Sequence, residues 1–363
     1  MPNRRQFIAG MLATGLAPTS SWGDAGAPAY LSAAAHSDGS YALCGISDAG
    51  DVIFEIPLPT RGHAAAAHPT RPEAVAFARR PGTYAIVINC ATGAQQAVLD
   101  APIGRHFYGH GVFSQDGAWL FTTENDYAAG RGRVGVWDAA NGYARAGEYD
   151  SGGTGPHDIK RLPGSDILVV ANGGIDTHPE SGRAKLNIPT MKPNLTYIRA
   201  GELLETAELS PEWHKNSIRH LAISREGQVA FGMQWQGDQP EPALVGVHRM
   251  GEGIQLLTAP DNALRNMQAY VGSIAYSSDE REIVVTSPRG GIAQRYNAQS
   301  RQLTAEISLT DVCGAATAPQ GVLVSTGTGA LVHLQGEQMV TLRGGGRQWD
   351  NHLIGLKLDT AKA

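Results

Sequence analysis

The sequence predicts an all-β fold, a seven-bladed β-propeller, on three observations. A short alternating stretch recurs that opens on histidine and ends in an Asp-Gly turn, His110-Gly111-Val112-Phe113-Ser114-Gln115-Asp116-Gly117. Residues 157–164 and 220–227 keep its His-to-Gly spacing, and residues 62–69 and 351–356 are looser copies. The copies return at intervals of roughly 40 to 60 residues, the period of a repeat fold whose units are too small to bury their own apolar faces. Finally, the 363 residues include 45 glycines and only 17% charged residues, which suits short strands joined by tight turns, and no long segment has a sustained helical period.

Each unit reads as four strands, the first innermost. The first unit supplies three, residues 30–35, 41–46 and 52–58, which align with the second to fourth strands of the others. The second unit is 63–67, 74–78, 84–89 and 97–100, and the third is 110–114, 119–123, 134–137 and 144–149. Asp116-Gly117 and Asn141-Gly142 supply hairpin turns in the third unit, where positive backbone φ favours Asn, Asp and Gly. The fourth unit opens at His157, continues at 167–171, and carries a long insertion, 172–194, before strands 195–199 and 202–209. We expect that insertion to cover part of one face as a lid. The fifth unit is 220–223, 229–233, 243–248 and 254–258, the sixth is 272–276, 282–286, 292–297 and 303–309, and the seventh is 314–318, 322–325, 330–334 and 338–342. The strand missing from the first unit is expected at 352–358, where the C-terminal end would close the ring and remove exposed sheet edges. Six or eight blades would follow if the long fourth unit were divided differently. A β-sandwich is the competing architecture, and the incomplete first unit with its complementary last strand argues against it. Only one Trp-Asp pair, Trp137-Asp138, falls at the end of a third strand, so this is no WD40 array.

The start of the chain reads as a targeting segment. Asn3-Arg4-Arg5-Gln6-Phe7-Ile8 resembles the twin-arginine export signal, and the apolar run 8–17 that follows is too short to span a bilayer. The alternative is a short basic tail. The expected division is a signal peptide over 1–27, with cleavage near 21–27, and a propeller over 28–363, exported to the periplasm with no membrane span after signal removal. A net charge of -5 and the lack of a Lys/Arg run disfavour nucleic-acid binding. Cys44, Cys90 and Cys313 form no close pair and sit in apolar strands, as buried thiols do. No Cys-x-x-Cys-His occurs, which excludes covalent haem.

Chemistry concentrates where the innermost strands begin. Five of the seven carry histidine there, His63, His110, His157, His220 and His352, out of 12 in the chain. The other two carry Gly272 and Gly314, the latter beside Cys313. Pseudosymmetry brings the five imidazoles around one axis. They read either as a metal or anion site or as structural residues repeated with the blade. Glu124 is a candidate further metal ligand, and Arg61, Arg105, His106, Arg219 and Trp235 are candidates to hold a cofactor or anionic ligand. Asn125, Asp126, Asn172, Asp176, His178, Gln234, Trp349 and Asp350 fall on the same face. Carboxylates there could ligate iron or manganese, or orient the rings from behind. His248 lies within a third strand and reads as structural. Gly327-Thr328-Gly329 and Gly344-Gly345-Gly346 are turns without a phosphate-binding context, and neither a Gly-x-Ser-x-Gly elbow nor a His-Glu-x-x-His motif occurs.

With the export signal, the repeats, residues 104–117 and residues 154–158 together, the chain resembles a bacterial exported β-propeller family of about this length with no settled activity. Its members are commonly encoded beside imelysin-like iron-regulated proteins and a di-haem thiol-oxidoreductase-like protein. The resemblance implies a role in periplasmic iron acquisition, those two proteins as partners, and a bound metal, iron first and copper second. A more distant analogy, to the copper-bearing propeller of nitrous oxide reductase, carries over only the idea of a hub metal. Three functional readings stand: a metal-binding accessory protein, a hub-metal oxidoreductase or hydrolase with a pocket lined by Arg105, Glu124 or Trp235, and a metal-free interaction platform.

Overall fold

A computed structural model of the chain describes residues 20–79, 83–182, 184–238 and 242–356. Residues 1–19 of the expected signal peptide and the end of the expected closing strand, from 357 onward, lie outside the described residues. The strands form seven antiparallel sheets in a ring, one for each repeat unit.

Blade 1 holds β1 (Tyr30–Ala35), β2 (Tyr41–Ile46) and β3 (Val52–Leu58), and blade 2 holds β4 (Gly62–Ala67), β5 (Glu73–Ala78), β6 (Tyr84–Asn89) and β7 (Gln95–Asp100). Blade 3 is β8 (Arg105–Phe113), β9 (Trp119–Asp126), β10 (Arg131–Asp138) and β11 (Ala144–Asp150). Blade 4 is β12 (Pro156–Arg161), β13 (Leu168–Asn172), β14 (Asn194–Arg199) and β15 (Glu202–Glu208). Blade 5 is β16 (Asn216–Ile223), β17 (Val229–Trp235), β18 (Val245–His248) and β19 (Gln255–Leu256). Blade 6 is β20 (Ser273–Tyr276), β21 (Glu282–Ser287), β22 (Ile292–Asn297) and β23 (Leu303–Ser308). Blade 7 is β24 (Val312–Thr317), β25 (Val322–Thr326), β26 (Leu331–Gln335) and β27 (Gln338–Arg343). A short helix that the sequence pattern did not suggest, α1 (Asp261–Asn266), links blades 5 and 6.

The alternation that marks the strands decides their burial. Inner strands such as β5 are buried throughout, because both faces meet neighbouring blades. Outer strands such as β23 alternate half-buried and exposed. The apolar residues between blades form a series of inter-blade clusters, one of which joins Val75, Phe77 and Val87 of blade 2 to Phe107, Phe113 and Leu120 of blade 3.

The ring closes by a route more broken than the expected single strand. The C-terminal segment pairs with β1 through two short strands, β28 (Gln348–Trp349) and β29 (Ile354–Gly355), and His352 lies between them. The Ser32 hydroxyl donates to the His352 carbonyl at 2.9 Å, which ties the interruption to β1. Gly314 explains why blade 7 has no histidine at this level: a Cβ there would stand 2.9 Å from the Leu353 nitrogen and 2.7 Å from Ser325 Oγ. Its bareness lets the returning chain pass.

Near the other end of the described chain, the Trp22 indole donates to the His68 carbonyl at 2.8 Å and packs with blades 1 and 2. The three cysteines are free and buried, as the sequence suggested. Among the described residues no helix is long and apolar enough to cross a membrane.

Candidate metal centre

The hub histidines sit where the innermost strands lose their regular pairing. Register breaks fall between Gly62 and Ala65, Phe107 and Gly111, Pro156 and Asp158, and Ile218 and His220. His63, His110, His157 and His220 lie within or at the edge of these breaks. An irregularity of this kind re-aims a side chain that would otherwise pack between blades. Here it occurs in four successive blades, and in blade 1 the gap between β28 and β29 serves the same end for His352. Gly109, with φ +101°, belongs to the break in β8, and a Cβ on it would meet the His63 ring at 2.4 Å.

The five imidazoles converge as pseudosymmetry requires. Ring centroids are 4.5 Å apart for both His63–His352 and His110–His352, 5.2 Å for His63–His110, 5.1 Å for His110–His157 and 4.9 Å for His157–His220. Two groups could each hold a metal ion: His63, His110 and His352, and His110, His157 and His220, with the ligand atoms of each group within 4.8 Å of one another. His110 belongs to both.

Two buried carboxylates stand behind the rings. Asp158 Oδ1 lies 3.2 Å from His110 Nδ1, and Asp350 Oδ1 lies 3.7 Å from His63 Nδ1. Burial would raise both carboxyls. Lys160 and His110 outweigh it at Asp158, and His63 with Arg79 and Arg61 outweighs it at Asp350, so both are held well below the usual carboxylate range. Burial lowers the pKa of His63, which Asp350 partly opposes, and it lowers His157, His220 and His352 strongly. Neutral rings with free lone pairs are the ligand form of imidazole. The Nε2 atoms of His110 and His352 and both ring nitrogens of His220 are buried without a hydrogen-bond partner. Four unpaired buried nitrogens in one small space are costly unless something binds them.

Other expected site residues lie elsewhere. Glu124 is fully buried but belongs to neither histidine group. The Arg145 guanidinium grips its carboxylate in two bonds, 2.7 and 2.9 Å, and Thr122 Oγ1 donates to it at 3.1 Å. Arg105 begins β8, several residues before His110, and its guanidinium is engaged by Glu148 with Asp126 at 3.5 Å. His106 contacts Asn125 at 3.2 Å and stacks with Tyr127. Trp235 donates to the Asp238 carbonyl at 2.7 Å and packs on Trp213. Two of the group do reach the centre's edge: Arg61 binds Asp350 at 2.7 Å, and Arg219 Nη1 lies 3.3 Å from His157 Nδ1. His248 is bonded away from the hub, to Tyr197 at 2.7 Å and the Glu252 carbonyl at 2.9 Å.

The profile of DUF1513, described as a protein of unknown function, matches residues 56–356. The chain belongs to the DUF1513 family. No curated protein matches this DUF1513 chain in sequence. Among solved structures, a chain of hydrazine synthase from Kuenenia stuttgartiensis is similar, with a TM-score of 0.57 at 11% identity over 85% of this chain and 90% of that one. At that identity the likeness shows the fold alone.

The DUF1513 hub also contains residues that the sequence did not single out. Asp158, Lys160 and Arg79 all shape it, and only Asp158 had a signal, its place directly after a repeat histidine. The 172–194 insertion is pinned on both sides: Asn125 of blade 3 donates to the Thr177 carbonyl at 3.0 Å, and Lys185 donates to Gln236, just after β17 of blade 5.

Proposed function

We propose that the hub binds one transition-metal ion through His63, His110 and His352. The observation that carries this is the state of His110. Its Nδ1 faces an ionised carboxylate, so Nδ1 holds the proton and the buried, unpartnered Nε2 holds the lone pair. One lone pair cannot serve both histidine groups at once, which limits the pair of groups to one ion. The ion supplies charge stabilisation or redox capacity when bound, and the protein supplies the ligand set and the carboxylates that fix it.

The donor set bears on which metal. Nitrogen ligands without an oxygen ligand suit copper and zinc at least as well as iron, and copper binds most tightly in the divalent series. The carboxylate once expected to favour iron, Glu124, is held by Arg145. Copper therefore moves ahead of iron in this reading. Export to the periplasm and neighbours of the imelysin-like and di-haem types, implied by resemblance, make metal handling in the cell envelope the proposed setting. An accessory binding role leads over an enzyme, since Arg105, Glu124 and Trp235 find their contacts outside the hub.

The test is elemental analysis of full-length protein recovered after native export, beside His110→Ala. About one copper, zinc or iron per chain in the native protein, lost from the variant, is the expected result. Folded protein that carries no metal and takes none up on titration would overturn the proposal and leave a metal-free interaction platform.

A further inference from the structure

The second histidine group differs in character from the first. Arg219 Nη1 approaches His157 Nδ1 at 3.3 Å. A guanidinium only donates, so His157 Nδ1 accepts, and the neutral ring carries its proton on Nε2. His157 thus has its lone pair occupied and an N–H to offer. His220 stands beside it, ring centroids 4.9 Å apart, and a neutral imidazole always presents one N–H. A guanidinium charge against this group repels a second cation and attracts an anion. Positive charge continues outward. Lys185 of the insertion lies within electrostatic reach of Arg219 and of Arg289, which sits over the Tyr270 ring at 4.5 Å.

We propose that His157, His220 and Arg219 form a seat for a small anion, of one-carbon carboxylate or inorganic size, beside the metal ion held by His63, His110 and His352. Lys185 and Arg289 line its approach. The size follows from the spacing: His220 lies 6.3 Å from His110 and 5.2 Å from His352 between ring centroids, which leaves room for only a few atoms. The inference rests on the metal reading for its neighbour but not for its own donors.

Azide is the probe. Its binding to the full chain is followed in metal-free protein by the ring-nitrogen signals of ¹⁵N-histidine, and in copper(II)-loaded protein by the azide-to-copper absorption band. Metal content is measured in parallel. Wild-type protein is expected to bind azide in both forms. Arg219→Gln is expected to keep its copper and weaken azide by about tenfold or more, the loss of a charge-assisted contact. The paired surface substitution Lys185→Gln with Arg289→Gln covers the case in which Arg219→Gln does not fold, and it is expected to weaken azide by roughly two- to fivefold at low salt and less at high salt. Copper uptake intact with azide affinity unchanged by these substitutions sinks the anion seat alone. No azide binding to wild-type protein in either form sinks it too. Azide bound by a wild-type protein that takes up no metal sinks the metal reading and leaves the seat standing.

Discussion

His110 Nδ1 lies 3.2 Å from Asp158 Oδ1, and the same carboxylate accepts from the Leu221 amide at 3.0 Å and the Ile159 amide at 2.8 Å. Three elements therefore meet on one side chain: β8, β12 and β16. The carboxylate fixes both the orientation of the His110 ring and the nitrogen that carries the proton. Asp158→Asn keeps the shape but removes the charge that selects this tautomer. Metal affinity is expected to fall about 10- to 100-fold, as for loss of a carboxylate behind a ligand histidine. Competition with a chromophoric chelator measures it. An affinity equal to wild type would mean that Asp158 serves only to join the strands.

The sharing of His110 between two groups separates the hub histidines by consequence. His110→Ala is expected to abolish metal uptake, since both groups lose a member. His157→Ala is expected to leave close to one ion per chain, because His63, His110 and His352 remain. Metal analysis of the two single variants decides between them. Loss from His157→Ala with retention in His63→Ala would move the ion to the other group.

Glu124 and Arg145 make a separate prediction. Glu124 is wholly buried and doubly bonded to Arg145, so Glu124→Gln leaves a partly buried guanidinium short of its counter-charge. Unfolding by urea is expected to show a loss of about 2–4 kcal/mol. Metal content is expected to stay at the wild-type level. The reverse pattern, metal lost with stability kept, would restore Glu124 as a ligand.

These residues show what could be read beforehand. The blades and the five histidines were legible because strands alternate with period two and each repeat restates the same positions. The carboxylates were harder. Asp158 directly follows His157, and strict alternation puts neighbours on opposite faces, but the register break between Pro156 and Asp158 suspends that rule. Asp350 was visible as a neighbour of the closing strand, but its grip by Arg61 and Arg79 joins blade 2 to the C-terminal end and has no local signature. The pairing of Glu124 was hidden for the same reason. Its partner comes from β11, two strands farther out, and nothing local to β9 announces it. Arg105 and His106 lie within β8, which begins at Arg105, ahead of the expected start at His110.

His68 joins blade 2 to blade 3 away from the hub. Its Nδ1 accepts from the Thr70 and Arg71 amides at 3.2 and 2.9 Å, its Nε2 meets the Gly117 carbonyl at 3.1 Å, and its ring packs on Phe113. Burial first, and Arg71 next, lower its pKa to about 4 from the ordinary 6.5. Between those values the unfolded chain binds more protons than the folded one, so stability falls as the pH falls. His68 should contribute fully above pH 6.5, lose that contribution progressively below it, and add no further slope below about 4. The whole change is at most about 3 kcal/mol. His68→Asn retains an acceptor for the two amides and does not titrate. It should cost about 1 kcal/mol near pH 7.5 through lost ring packing. Near pH 4.5 the gap from wild type should close or reverse. His63, His157, His220 and His352 shift in the same direction and remain in both proteins, so they cancel in the comparison. Urea unfolding of metal-free protein at the two pH values gives the answer, and parallel profiles for the two proteins would show that His68 is not the group that titrates.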